Sequence, residues 1–390
     1  MVDPLRVLPP GTIRPDLMDP EPRRALRGRG ADCYHPRPGE HQEAGSKGMR
    51  VKRPTSFDIA ELAGVSQSTV SRALRNDAMV SEDTRQRVAQ AARLLNYKVD
   101  VNARNLRSQK TNTLALLLYE DPVTSQSLIN PFFLSMLSSI TKASARRGYD
   151  LLISFQQSSD DWSADYAASK RADGLIFLGY GDYLRYVDKI SRLDEVSTAF
   201  VTWGPVVPGQ PGHFIGSDNI QGAREGVRHL IARGRKRIAF LGDISEHCPE
   251  FRDRYTGYVE ALGEAGLPVI EALYADAAAS EEVGHQAILN LIDREGPIDA
   301  VFGACDLLAI GAMNGLRERS LRVPEDVAVV GFDDIVAAPF TSPPLTTIRQ
   351  DTAAAGELLV ENLLRLIEGR PIETTQIATS LVVRGSCGGT

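Results

Sequence analysis

Between Asp58 and Leu74 the chain reads DIAELAGVSQSTVSRAL, which combines small, apolar and hydrogen-bonding residues at a defined spacing. Ala60 is small enough for a second helix to cross it, Gly64 tolerates the positive φ of a tight turn, and Val70 can pack back between two helices. The second helix then exposes five short or polar side chains: Gln67, Ser68, Thr69, Ser71 and Arg72. Such side chains suit base edges and phosphates in a DNA major groove. The spacing therefore predicts a helix-turn-helix; a polar-faced helical hairpin for protein contact is the alternative.

A second set of residues could bind a small molecule, because its members follow apolar strand runs or, in the case of Arg254, begin a helix. Asn130-Pro131-Phe132-Phe133 places two aromatic rings after a strand, and Arg254 brings a guanidinium that can hold paired hydroxyls or a carboxylate. The candidate contacts are Phe132, Phe133, Arg254, Cys305, Asp306 and Asp333. Three alternatives stay open: core packing for the phenylalanines, a surface charge for Arg254, and a helix N-cap for Asp306.

Three short helices are predicted to position the first set. The first helix ends at Gly64 and has an apolar face formed by Phe57, Ile59, Ala60 and Ala63. Ser66 is placed to cap the second helix, and Ser81 with the acidic residues behind it opens the third. The third helix would bury Val88, Ala91, Ala92 and Leu95. We expect a small all-α domain over residues 55–100, followed by a hinge over residues 101–112.

The rest of the chain, residues 113–390, alternates strands and helices. Apolar strand runs are predicted at 114–118, 151–154, 174–178, 238–241, 300–302 and 327–332. Amphipathic stretches lie near 132–147, 219–233, 252–265, 282–294, 306–318 and 352–368. Continuous apolar strands separated by helices indicate parallel sheets covered on both faces. This length predicts two α/β lobes, with a ligand in the cleft that faces the carboxyl ends of the strands.

Charge is distributed unevenly along the chain. The net charge is −6, yet residues 49–112 carry 12 Lys and Arg against 6 Asp and Glu, whereas residues 113–390 carry 24 against 37. A basic head on an acidic body is typical of a DNA-binding module fused to a separate domain.

Other features exclude several classes of protein. No apolar run is long enough to span a membrane and no signal peptide is apparent, so we expect a cytoplasmic protein. The four cysteines lack metal-ligand spacing, and we expect neither a metal nor a cofactor. Residues 1–54 are predicted to be a disordered leader, with a start at Met49 as an alternative. No P-loop, dinucleotide fingerprint or Gly-x-Ser-x-Gly motif supports an enzyme.

The head resembles that of the LacI family of transcription regulators in Asp58–Leu74, in Val80-Ser81 with Arg85, and in Leu95-Asn96-Tyr97. This resemblance implies that Gln67, Ser68 and Arg72 contact bases. It also implies that Thr69 and Ser71 hold phosphates. Leu106 would be an apolar wedge inserted into the minor groove, or alternatively a packing anchor in a linker. The chain departs from the family pattern after Tyr97, where it has Val99-Asp100 in place of the usual Pro-Asn.

The resemblance continues through the body, which is similar to periplasmic binding proteins. The matching segments include Asp218-Asn219, Pro344-Leu345-Thr346-Thr347-Ile348 and the closing Leu381–Ser386. By this resemblance Arg254 and Asp333 bind polar groups of an effector, and Phe133 lines its pocket. Cys305 stands where relatives often have Asn, and Ala279 where several have a stacking aromatic residue, so the effector is expected to be less hydroxyl-rich than usual.

The expected protein is a non-enzymatic repressor that binds a palindromic double-stranded DNA operator as a homodimer. A small-molecule effector, a sugar or related metabolite, would bind between the lobes and change the affinity for DNA. The alternative is a solute-binding or enzymatic α/β protein with an accessory helical domain.

Overall fold

A computed structural model describes residues 54–97, 110–118, 129–155, 161–179, 183–206 and 209–388. The chain divides into two compact units, with the boundary after Tyr97. The predicted leader, apart from its last residue, and Leu106 lie outside the described residues.

The first unit contains three helices: α1 Ser56–Ala63, α2 Gln67–Ala73 and α3 Glu82–Leu94. Gly64 ends α1 in the left-handed conformation, with φ 63°, as the turn requires. The side chains of Ser66 and Ser81 cap α2 and α3 by accepting hydrogen bonds from the backbone N–H of Thr69 and Thr84. The predicted caps and turn are confirmed.

A small hydrophobic core joins these helices. Its fully buried members are Ile59, Ala63, Val70, Ala73, Val80, Val88 and Ala91. The predicted apolar face of α1 was wrong at Phe57, which is 70% exposed. Because each helical residue turns by about 100°, Phe57 points about 200° away from Ile59 and misses the core.

The first lobe of the second unit is built on a six-stranded sheet. Its strands are β1 Thr113–Leu118, β2 Asp150–Phe155, β3 Gly174–Leu178, β4 Phe200–Trp203, β5 Phe214–Ser217 and β11 Thr375–Ile377. They run parallel in the order β11-β5-β4-β3-β1-β2. The helices of this lobe are α4 Pro131–Arg146, α5 Tyr183–Glu195 and α10 Thr352–Ile367, with a π-helical turn at Ser163–Ala168.

The second lobe repeats this arrangement. Its strands are β6 Ile238–Leu241, β7 Tyr274–Ala275, β8 Ala300–Gly303, β9 Ala328–Asp333, β10 Thr346–Gln350 and β12 Thr379–Val382, in the order β12-β10-β9-β8-β6-β7. Its helices are α6 Asn219–Ala232, α7 Pro249–Glu264, α8 Glu281–Glu295 and α9 Asp306–Glu318. The two predicted α/β lobes are confirmed, except that β12 pairs antiparallel with β10.

The chain passes between the lobes three times, after β5, after β10 and after β11. Each sheet therefore contains strands from distant parts of the sequence. None of the helices in the described part of the chain is long and apolar enough to cross a membrane.

Close packing of α6 against α7 depends on Gly257. A Cβ atom at this position would overlap the carbonyl oxygen of Ile220 and lie 2.9 Å from the backbone nitrogen of Arg224. Both of these atoms belong to backbone, which cannot rotate away as a side chain can. Gly263, six residues further along α7, has no atom within 4 Å of such a Cβ.

We predict opposite effects for two alanine substitutions in this helix. Gly257→Ala should destabilise the protein by roughly 1–3 kcal/mol, because the helices must separate. Gly263→Ala should stabilise it by up to about 1 kcal/mol through helix propensity alone. Urea denaturation followed by circular dichroism measures both, and equal effects of the two variants would contradict the close packing.

Candidate DNA-binding face and effector cleft

Helix α2 separates its side chains into two faces. Val70 and Ala73 lie on one side and are 0% and 3% exposed. The predicted DNA contacts occupy the remaining arc of about 200° at 100° per residue. Ser68 and Arg72 are exposed, and the other three contacts are half-exposed: Gln67, Thr69 and Ser71. The predicted row of residues therefore shares one accessible face.

Hydrogen bonds organise the start of this face. The Ser66 hydroxyl accepts from the Thr69 backbone N–H at 3.2 Å and lies 2.8 Å from the hydroxyls of both Ser68 and Thr69. The Gln67 side-chain amide donates to the Ser56 hydroxyl at 3.2 Å, which links α2 to α1. These hydrogen bonds limit the rotamers of Gln67, Ser68 and Thr69 and would thereby reduce the side-chain entropy lost when DNA binds.

In the second unit, Arg254 is the centre of a buried polar network. It is 1% exposed, its Nε donates to Asn219 Oδ1 at 2.9 Å, and its Nη1 donates to the carbonyl of Ala304 at 2.5 Å. Nη1 also lies 3.4 Å from Asp333 Oδ1, and the guanidinium carbon lies 3.8 Å from the ring centroid of Phe332. The surface-charge alternative for Arg254 is therefore wrong.

Asp333 connects this network to the crossovers between the lobes. Its Oδ1 accepts from Gln350 Nε2 at 2.6 Å. Gln350 ends β10 and Asn219 follows β5, so each lies at a crossover. Asp333 has a backbone φ of 120°, which L-residues rarely adopt and which is found mostly where surrounding contacts impose it. A ligand contact here would therefore bear directly on the segments between the lobes.

Cys305 and Asp306 lie beside this network but are bonded within the second lobe. Cys305 is the N-cap residue of α9, which makes the N-cap alternative for Asp306 wrong. Asp306 accepts from Ile335 N at 2.8 Å and from Thr347 Oγ1 at 2.5 Å. Burial, with the nearby Asp333 carboxylate, raises the pKa of Asp306 well above its ordinary value. Burial also raises the pKa of the Cys305 thiol.

Aromatic rings form the first-lobe side of the cleft. Phe132 and Phe133 follow Asn130, whose side chain accepts from the Phe132 backbone N–H at 2.9 Å. The two rings are edge to face with centroids 5.1 Å apart, and Phe132 lies 6.1 Å from Trp203. All three belong to one hydrophobic cluster with Phe251 of the second lobe. Their burial agrees with the core-packing alternative.

Glu250 adds a carboxylate to the cleft. It lies in the first turn of α7, one turn before Arg254, and is half-buried. Burial raises the pKa of Glu250 to about 7, because the nearby positive charge of Arg254 offsets the loss of hydration only in part.

Sequence reasoning did not assign a role to four cleft residues: Trp203, Asn219, Glu250 and Gln350. Trp203 carries a usable signal, since it ends the apolar run Ala199-Phe-Val-Thr-Trp203 and precedes a glycine. Glu250 and Gln350 carry none, because polar residues near helix starts are ordinary. Among the described residues, no cluster of three His, Cys, Asp or Glu side chains could hold a metal ion.

Two family models match the chain. Residues 57–100 match bacterial regulatory proteins of the lacI family, and residues 227–387 match a periplasmic binding protein-like domain. The HTH-type transcriptional regulator CelR of Thermobifida fusca is 33% identical over 344 residues, covering 86% of this chain and 99% of that protein. The HTH-type transcriptional repressor PurR of Mannheimia succiniciproducens is 30% identical over 339 residues, covering 85% and 98%.

Solved structures give the same picture. The complex of CelR with cellobiose matches with a TM-score of 0.64 at 31% identity, covering 86% of this chain and 100% of the other. The lac repressor dimer bound to operator and the anti-inducer ONPF matches with a TM-score of 0.73 at 26% identity, covering 86% and 99%.

We predict that Arg254→Met lowers the free energy of unfolding by roughly 3–5 kcal/mol, because it leaves the buried Asp333 carboxylate without its neighbouring guanidinium. Arg319→Met is the matched control, since it breaks an exposed ion pair with Asp293 of 2.6 Å. The control should cost less than about 1 kcal/mol. Denaturant titration measures the free energy of unfolding of both variants. A loss in Arg254→Met no larger than that in the control would contradict a stabilising role for the network.

Glu250→Gln should change how stability depends on pH. A carboxyl group whose pKa rises on folding stabilises the native state at low pH, and this contribution is lost as pH rises through the folded value, here about 7. The difference in melting temperature between Glu250→Gln and the parent protein should therefore shift in favour of the variant, by roughly 2–6 °C, from pH 5 to pH 8. Glu282→Gln replaces an exposed acid in the first turn of α8 and should show no such gain.

Proposed function

Because the chain belongs to the lacI family of bacterial regulatory proteins, we propose that it represses transcription from a palindromic operator under the control of a small molecule bound between its lobes. As a member of that family it is a DNA-binding transcriptional regulator and not an enzyme. The observation that carries the proposal is the polar, accessible arc of α2 opposite its buried face. We also assign the protein to the cytoplasm, as a homodimer.

The DNA contacts proposed on α2 follow from side-chain chemistry. Arg72 and Gln67 can make paired hydrogen bonds to base edges, and Ser68 can bond to either kind of base. Thr69 and Ser71 carry short hydroxyl side chains that suit phosphates, which position the helix without carrying sequence information. Leu106 is proposed as the minor-groove wedge of the hinge.

The proposed effector contacts are the polar network around Arg254 and the aromatic rings of the first lobe. CelR was solved with cellobiose, and the lac repressor with ONPF. For this chain we propose a sugar or related metabolite, held between Phe133 and the Arg254–Asp333 pair. We also propose that the effector contacts Cys305 or Asp306. To contact Asp306, the ligand would have to displace the hydrogen bonds that this carboxylate accepts from Ile335 and Thr347.

Coupling to the head would pass through the residues that start β1. The Asp173 carboxylate accepts from the backbone N–H of Thr111 at 2.7 Å and of Asn112 at 2.8 Å, and from the Thr111 hydroxyl at 2.9 Å. Asp173 directly precedes β3, so the end of the hinge is bonded to the sheet of the first lobe. An effector that favours one arrangement of the lobes would change operator affinity by its difference in binding energy, commonly about 5–150-fold.

A gel-shift titration on palindromic and random duplexes tests the proposal. Arg72→Ala should reduce the preference for the operator by about 30-fold or more, because a lost base contact is worth about 1–3 kcal/mol in each of the two half-sites. Arg75→Ala, an exposed arginine just past α2, should weaken both duplexes alike and leave the preference unchanged. A parent protein with no preference for any palindromic duplex would overturn the function; equal loss in both variants would overturn the role of Arg72.

A further inference from the structure

The Glu250 carboxylate lies where the two lobes meet. The carbonyl of His247, in the loop before α7, accepts from the backbone N–H of Tyr183, the first residue of α5, at 3.0 Å. A Cβ atom built on Gly204, which follows β4, would lie 3.8 Å from Glu250 Oε1. Tyr183 and Gly204 belong to the first lobe, and Glu250 belongs to the second. The carboxylate of Glu250 therefore faces the opposite wall of the cleft.

No described side chain neutralises this carboxylate by an ion pair or a side-chain hydrogen bond. Arg254 is the nearby cation, but its guanidinium bonds to Asn219 and Ala304 and lies beside Asp333. A backbone hydrogen bond replaces only part of the hydration that this carboxylate has lost, and a ligand that donates to it can recover more of that cost.

Several other charged or titratable groups lie on the same helix as Glu250, on the loop before it or on the facing lobe. On α7 and the loop before it they are Asp243, His247, Arg252, Asp253 and Arg254; on the facing lobe the group is Tyr183, and beyond Arg254 lies Asp333. Burial raises the pKa of Asp253 and of Tyr183, the latter with a contribution from the Glu250 charge.

Building on the proposed effector function, we infer that Glu250 selects the effector's charge: it accepts a hydrogen bond from a hydroxyl or amino group of the ligand and excludes ligands that carry a phosphate or carboxylate. A donor placed between Glu250 and the first lobe gains a charge-assisted hydrogen bond. Above its pKa of about 7 Glu250 is ionised, and an anion placed there then meets a carboxylate of the same sign in a poorly hydrated cleft, which costs affinity. The class of effector is therefore an uncharged hydroxyl compound or an amine.

A panel of cyclic sugars that differ in charge tests this inference. The probes are glucose, glucosamine and cellobiose as neutral or amino members, and glucuronate and glucose 6-phosphate as anionic members, measured by thermal shift at pH 8 on the full-length protein. Neutral or amino members should bind at least about tenfold more tightly than their anionic partners. Glu250→Gln should narrow this gap, whereas Glu282→Gln, which removes a first-turn acid from the exposed start of α8, should keep it.

Two outcomes overturn the selection by Glu250: an anionic probe that binds the parent protein best, or a gap of equal size in Glu250→Gln. A third outcome is distinct, because it strikes the proposed effector function itself. If no probe of any charge stabilises any of the three proteins while operator binding is intact, the cleft is not a site for this class of ligand, and the inference about Glu250 fails with it.

Discussion

A buried positive charge has to be neutralised, and much of the second unit is arranged around that requirement at Arg254. The guanidinium is held by a carboxylate, an amide oxygen and a backbone carbonyl that come from separate parts of the chain. Removing one partner from such a network costs far more than removing an exposed ion pair. The network also connects the ends of strands in one lobe to the segments that cross to the other. A ligand that competes for these bonds would therefore act directly on the relation between the lobes.

The head carries a positive net charge and the body a negative one, and this difference has a physical reason. Phosphates attract positive charge, and residues 49–112 carry 12 Lys and Arg against 6 Asp and Glu, whereas the body carries an acidic excess. The Asp173 bonds to Thr111 and Asn112 connect the sheet of the first lobe to the end of the predicted hinge.

Local patterns predicted most of the elements. Gly64, Ser66 and Ser81 mark turns and caps whose geometry depends on their own residue type, so the head follows from short stretches of sequence. The predicted strands also lie where the structure has them, because each is a continuous apolar run. Short strands such as β4, β5 and β10–β12 escaped prediction, since three to five residues carry too little periodicity and their burial comes from distant partners.

The sequence by itself determined the helix-turn-helix, the α/β character of the body, and the positions of Arg254 near the start of a helix and of Asp333 after an apolar run. Only the tertiary structure decided that Arg254 is buried, that Asp306 is bonded to Ile335 and Thr347, and that Glu250 faces Gly204 across the cleft. The reason is that caps and periodicity depend on neighbours in the chain, whereas burial and the pairing of charges depend on segments brought together by three crossovers between the lobes.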